Sequence, residues 1–223
     1  MTGPTAPADA DFGNLEANRR FLAERHLIRD GDRVLEIGTG RGTLLHELRS
    51  QGIDAAGVET SADRIAEAQA RFGPLPILQV NGTALPYAAD SFDVVLSFDV
   101  LEHIADSDAH VAEVRRVLKR GGWYLLQTPN KWSNTIFETI RWRSFTRWRA
   151  DHCALHTARQ LEERFRRHGF DVEFADVRVV TAFYREKVRR HLGPLGAFAL
   201  RVANPDRLPL RWRTNLYVRA RKR

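Results

Sequence analysis

The chain has 223 residues, 43% of them hydrophobic, with 35 Lys and Arg against 28 Asp and Glu for a net charge of +7. That length and apolar content support one sizeable core and exclude a wholly disordered chain. No apolar run reaches the length of a membrane span, and the single cysteine, Cys153, excludes an internal disulfide and fits a reducing, cytoplasmic setting.

In chain order, residues 1–11 are rich in Ala, Pro and Asp and read as a flexible tail without a signal-peptide pattern. Residues 12–223 then read as one domain, since no repeat and no long linker divides them. Leu15, Phe21, Leu22 and Leu27, with Arg19 and Arg25, predict an amphipathic helix. Residues 34–37 read as a buried strand delivered into Gly38-Thr39-Gly40-Arg41-Gly42, and Leu44, Leu45 and Leu48 open a helix directly after it. A second strand over 54–59 leads to a helix over 62–72, with Ile65, Ala68 and Phe72 on one face. Third and fourth strands are expected over 76–80 and 91–97. Residues 106–120 predict a helix stopped by Gly121-Gly122, with Arg115, Arg116, Lys119 and Arg120 complementing its dipole. A fifth strand follows and ends before Asn130.

Beyond Asn130 the pattern changes. Residues 131–150 interleave Trp132, Phe137, Trp142, Phe145 and Trp148 with Arg141, Arg143, Arg147 and Arg149, and the segment 131–156 reads as a substrate cap. Thr157 caps a helix that runs to His168, with Leu161 and Phe165 inward. Strands over 172–180 and 214–220 flank an insertion, residues 184–209, in which Pro194 interrupts a helical stripe of Val188, Leu192, Leu195, Ala199 and Val202. The alternation of strands and helices predicts an α/β fold, a mostly parallel sheet covered on both faces and closed by an antiparallel last strand. Charge divides the chain too. From Arg141 onward there are 21 bases and 8 acids, whereas the remainder is net acidic. Such a basic third suits an anionic or lipid-like acceptor, peripheral contact with a membrane, or nucleic acid.

The glycine corner narrows the ligand. Strand, glycine turn and helix N-terminus form a nucleotide-binding corner, and glycine permits the positive φ that such turns require. The third glycine comes one residue early for a dinucleotide fingerprint, and Glu36 sits just before the first. A carboxylate there repels a pyrophosphate but suits the ammonium of S-adenosylmethionine (SAM), which carries no phosphate. Glu59, at the end of the second strand, is placed to accept hydrogen bonds from ribose hydroxyls.

With VLEIGTGRG at 34–42, Glu59, NGTALPYAADSFDVVLS at 81–97, DVLEHI at 99–104 and GGWYLLQTPN at 121–130, the chain resembles the class I SAM-dependent methyltransferases. The similarity is to the small-molecule branch that includes the ubiquinone-pathway O-methyltransferases. It implies the Rossmann-like seven-stranded methyltransferase fold, SAM as cofactor, and a cofactor site of Glu36, Gly38, Thr39, Gly40, Gly42, Glu59, Thr60, Asn81, Gly82, Thr83 and Phe98. Where the family carries Asp against the adenine amino group this chain has Asn81, whose side-chain oxygen still accepts that bond.

Transfer to a hydroxyl calls for a base, and the histidines near the fourth strand and the cap are the candidates: His103, His152 and His156. No His, Cys, Asp and Glu spacing matches a ligand set, so no metal is expected. The expected function is methyl transfer to a small-molecule hydroxyl on an anionic, lipid-like or natural-product acceptor. RNA-directed transfer and non-catalytic SAM binding are the alternatives. Against nucleic acid, the fourth strand runs into Phe98-Asp99-Val100-Leu101 rather than the Pro-Pro-aromatic turn of amino-methylating nucleic-acid enzymes.

Overall fold

Strand residues alternate between two apolar layers, and that period of two organises the architecture. The computed structural model describes residues 14–142, 144, 153–202 and 204–223. Its strands are β1 (Arg33–Ile37), β2 (Asp54–Glu59), β3 (Ile77–Gln79), β4 (Phe92–Phe98), β5 (Leu118–Pro129), β6 (Phe170–Ala175) and β7 (Asn215–Lys222). They form one sheet in the order β3-β2-β1-β4-β5-β7-β6, with β7 antiparallel to both of its neighbours and the other pairs parallel.

Val34, Val94, Leu96 and Leu125 face a layer shared with α1 (Leu15–Ala23), α2 (Thr43–Ser50) and α3 (Ala62–Phe72). Leu35, Val95, Tyr124 and Leu126 face the opposite layer, filled by Val111, Val114 and Val117 of α4 (Ser107–Val117) and by Leu161 and Phe165 of α6 (Ala158–Arg167). Each fully buried Leu, Val or Phe contributes about 1.5–3 kcal/mol. Two further helices, α5 (Lys131–Trp142) and α7 (Ala182–Val202), follow β5 and β6 and line the cavity described below. The strand order reverses between β1 and β4, so the carboxyl ends of β1, β2 and β4 open on a crevice at the switch point.

Two sequence expectations need correction. The helix expected over 106–120 ends at Val117, and Leu118 already begins β5 opposite Phe92. Gly121 (φ +79°) and Gly122 therefore lie in the strand, not at a helix stop. A Cβ on Gly122 would stand 2.7 Å from the Asp93 carbonyl oxygen, so only glycine lets the two strands approach there. Arg115 and Arg116 do sit in the last turn of α4, whereas Lys119 reaches across to Asp93 at 2.7 Å. Second, β6 covers 170–175 rather than 172–180. Its partner β7 starts at Asn215, and the Val179 and Val180 amides are taken by the Asp206 carboxylate at 2.7 and 3.3 Å. As expected, Thr157 caps α6, in a box in which Thr157 and Gln160 exchange bonds. In the insertion the helix does break beside Pro194, at Gly193 (φ +60°).

Candidate functional site

The three alternating glycines all take left-handed backbone, at φ +76°, +53° and +75° for Gly38, Gly40 and Gly42. At Gly38 a Cβ would come within 2.4 Å of Val100 Cγ2, so the loop can pass beneath the turn after β4 only without a side chain. The Gly38 and Thr39 amides donate to the Val58 carbonyl, and the Gly40 amide donates to Glu59 Oε2 at 2.8 Å. Glu59 Oε1 accepts from the Thr60 and Ser61 amides and from the Thr60 hydroxyl. The acid at the end of β2 thus fastens the glycine loop as well as facing the crevice.

Above this loop lies a cavity of about 940 Å³. Glu36, Gly38, Thr39, Gly40, Glu59, Thr60, Asn81, Gly82, Thr83 and Phe98 line it. Gly42 does not: it caps α2 and packs on α3, where a Cβ would meet Ala68 Cβ at 2.9 Å and Leu75 Cδ1 at 2.8 Å. Its requirement is packing, not ligand contact. The Asn81 side-chain oxygen accepts from the Thr83 amide at 3.1 Å, an Asx turn that shapes the loop.

Two wall atoms are buried without a hydrogen-bond partner, Glu36 Oε2 and Thr39 Oγ1. Burial, then the Glu47 and Glu59 carboxylates, hold Glu36 well above the ordinary carboxylate range. A buried acceptor in that state is satisfied by a cationic donor, which is what the methionine ammonium of SAM provides. The wall carries the carboxyls of Glu36, Glu59, Asp99, Glu102, Asp106 and Glu138 against the bases Arg41, Arg64 and His103. The chain is basic, but its cavity is acidic.

The other end of the cavity is built where β4 stops. Asp99 takes φ +54°, with its amide shared between the Gln127 backbone and side-chain oxygens and its carboxylate gripped by Asn14 Nδ2 at 3.0 and 2.9 Å. So many restraints make a left-handed non-glycine tolerable. The tight turn that follows, Leu101–His103, sends neighbouring side chains in different directions. The Glu102 side chain is 1% exposed and accepts from Thr128 Oγ1 at 3.0 Å, while that of His103 is 49% exposed at the cavity rim. Their nearest charged atoms are 4.0 Å apart. Burial, reinforced by Asp99, raises the Glu102 carboxyl above its usual range. From the cap, Ser133, Asn134, Phe137 and Glu138 of α5 and Tyr184 and Val188 of α7 close the far wall.

The other histidine candidates fall elsewhere. His156 is buried away from the cavity; its Nε2 meets the Arg164 guanidinium, and its carbonyl accepts from the Lys131 amide at the start of α5. Burial, Arg164 and Lys131 lower its pKa to about 4, so it is a neutral strut under the cap. His152 lies outside the described residues.

A fourth histidine escaped the sequence reading. His110 on α4 is fully buried, with Nδ1 2.9 Å from the Gly82 carbonyl and Nε2 2.8 Å from the Tyr124 hydroxyl, which also lies 2.6 Å from Ser97 Oγ. Burial lowers its pKa to about 4. The ring is therefore neutral, and the tautomer follows by elimination. A carbonyl only accepts, so Nδ1–H donates to Gly82, Nε2 accepts from Tyr124, and Ser97 donates to Tyr124. The chain of bonds pins the 81–83 loop to the middle of the sheet. Ser97, His110 and Tyr124 are far apart in sequence and have no spacing that announces the contact.

A seven-stranded sheet of this order, with a glycine-floored crevice at its switch point, is the arrangement expected of a class I SAM-dependent methyltransferase. The chain belongs to that family: the model of the methyltransferase domain matches residues 10–174. Over 136 residues, 59% of this chain and 48% of the relative, it is 31% identical to the Mycobacterium tuberculosis protein named "Probable S-adenosylmethionine-dependent methyltransferase". Over 105 residues, 45% of this chain and 42% of the relative, it is 37% identical to a ubiquinone biosynthesis O-methyltransferase of Cereibacter sphaeroides. The chain spans about half the length of these curated relatives. Among solved structures, a methyltransferase in complex with the Trm112 activator of Haloferax volcanii has the same fold, with a TM-score of 0.69 at 22% identity over 92% of this chain and 87% of that one. SAM is the cofactor of the family, and the residues on the crevice wall fit it. Among the described residues no helix is long and apolar enough to cross a membrane.

Proposed function

We propose that this chain transfers the methyl group of SAM to a hydroxyl of a small amphipathic molecule held between the turn after β4 and the helices α5 and α7. The observation that carries the reading is the pair of unpartnered buried atoms, Glu36 Oε2 and Thr39 Oγ1, on the wall of a cavity that continues to a second polar end. Bound SAM supplies an activated methyl on a sulfonium that leaves as a neutral thioether. Glu36 holds the ammonium, Glu59 the ribose, and the 81–83 loop the adenine. Phe137 and Tyr184 press the acceptor toward the turn that carries Glu102 and His103, which aligns it for in-line attack.

The hydroxyl proton goes to the Glu102–His103 pair. Glu102 is sheltered and held by Thr128, and His103 at the rim returns the proton to solvent. The bases that would read an anion, Arg141, Arg143, Arg147 and Arg149, have side chains outside the described set. At the described acceptor end the charged groups are mainly carboxyls, which supports a neutral reacting group over an anionic one. The same carboxyls, Asp99 and Glu102, favour a second reading in which the acceptor is an amine.

Methyl-labelled SAM offered with amphipathic alcohols and phenols, with amines, and with RNA tests the choice. Label is expected in the hydroxyl arm. Glu102→Gln should lower transfer roughly 100-fold, on the scale of general-base catalysis, with affinity for S-adenosylhomocysteine retained. Label in the amine arm selects the second reading, and label in RNA alone overturns both.

A further inference from the structure

Exposed large apolar side chains are unevenly placed on this molecule. Among the described residues they are Leu78 on the edge strand β3 and six others, Trp132, Ile136, Leu195, Phe198, Val202 and Trp212, all in or beside the cap segments. Leu195, Phe198 and Val202 recur at helical spacing on the part of α7 that follows the break at Gly193. They are 81%, 66% and 72% exposed, so this stripe faces outward rather than into the domain. A clustered apolar surface of this kind marks a contact site.

Charge selects the occupant. Within α7, Arg185, Lys187, Arg189 and Arg190 precede the break at Gly193 and Arg201 follows it, against the single acid Glu186, which pairs with Arg189; the four arginines are exposed. A second copy would bring the same positive charge to the same stripe and be repelled. An anionic bilayer satisfies both features: its headgroups attract the arginines, and its acyl boundary takes Leu, Phe and Trp. Helix α7 also lines the cavity through Tyr184 and Val188, and α5, which carries exposed Trp132 and Ile136, lines it through Phe137 and Glu138.

We propose that the α7 stripe, together with the exposed arginines of the same helix, docks this protein on an anionic lipid surface, with the acceptor end of the cavity toward the membrane. Docking itself stands apart from the methyl-transfer reading; the supply of an acceptor from the bilayer rests on it.

The test is co-sedimentation of the full chain with vesicles of phosphatidylcholine alone and of phosphatidylcholine with phosphatidylglycerol, at low and high salt. Binding is expected to the anionic vesicles, at least about tenfold stronger than to neutral ones, and weakened as salt rises. Leu195→Ser/Phe198→Ser/Val202→Ser should reduce it about tenfold, and Arg185→Gln/Arg189→Gln/Arg190→Gln/Arg201→Gln should remove the preference for anionic lipid. Calorimetric SAM affinity, unchanged in both variants, shows that each is folded; loss of SAM binding in the parent protein would instead overturn the methyltransferase reading and leave the vesicle result intact. Docking is overturned by equal or absent binding to the two vesicle types. It is also overturned by a parent dimer that the triple Ser variant dissociates in sedimentation velocity, or by salt-sensitive binding to single-stranded RNA without vesicle binding.

Discussion

In residues 33–130 apolar side chains fill two layers inside the domain, and the chemically active groups stand at strand ends where several backbone bonds restrain each one. In 131–142 and 182–212 the polar wall of the cavity and an exposed apolar stripe share the same helices. The first region is shaped by bonds to itself. On the docking proposal, the second is shaped partly by what it meets. Substitutions in the first should therefore disturb cofactor affinity and stability strongly, and substitutions in the exposed stripe of the second should leave both nearly untouched.

The largest effect is expected at Gly38. Alanine there pays about 1–2 kcal/mol for left-handed backbone and collides with Val100 Cγ2, 2.4 Å from the new Cβ. Calorimetry should find SAM affinity more than roughly 100-fold weaker, the 1.4 kcal/mol-per-decade scale applied to strain and overlap together. Adding Val100→Ala, which removes the colliding methyl, should recover part of it; full affinity in Gly38→Ala alone would break the backbone-cradle argument.

His110 sharpens the comparison through pH. Its pKa is about 4 in the fold against 6.5 for the unperturbed side chain. Between those values the unfolded chain binds a proton that the folded chain excludes, so stability falls as pH drops from 6.5 toward 4. The shift corresponds to about 3 kcal/mol. Glu36 and Glu102, raised in the fold, slope the other way. The His110 contribution is therefore the difference between parent and His110→Gln in urea unfolding, expected to shrink steadily from about pH 7 to about pH 4.5. Parallel curves would mean that the ring is not held neutral.

Glu59→Ala should weaken SAM binding by about 1.5–3 kcal/mol, the scale of hydrogen bonds to a charged group, and should lower the melting temperature too, because three amides and a hydroxyl lose their acceptor. A melting shift with unchanged affinity would confine Glu59 to fastening the loop. The smallest effect is expected for Asn81→Asp, within about threefold in SAM affinity, since aspartate accepts the Thr83 amide at least as well. A large loss in a folded protein would show that the amide nitrogen of Asn81, not its oxygen, does the recognising.

Much of the cofactor end was legible in the chain itself, because its rules are local. Alternating glycines before a helix specify positive φ, and an acid closing a strand lands at the sheet's carboxyl edge whatever surrounds it. Other features depended on neighbours that sequence does not put side by side. Leu118 is a strand residue because Phe92 pairs with it, and the stretch expected as strand beyond Ala175 instead gives its Val179 and Val180 amides to Asp206. Three histidines with the same intrinsic chemistry came to different ends. His103 stands at a rim, His156 under the cap beside Arg164, and His110 in a buried chain to Tyr124. Motif order and the family it resembles pointed to a SAM-binding α/β domain, and composition showed its basic final third. Which carboxyl is sheltered, which histidine reaches the crevice and which apolar stripe is left uncovered were decided by tertiary packing, because burial and distance, not residue type, set the cost of charge and the reach of a side chain.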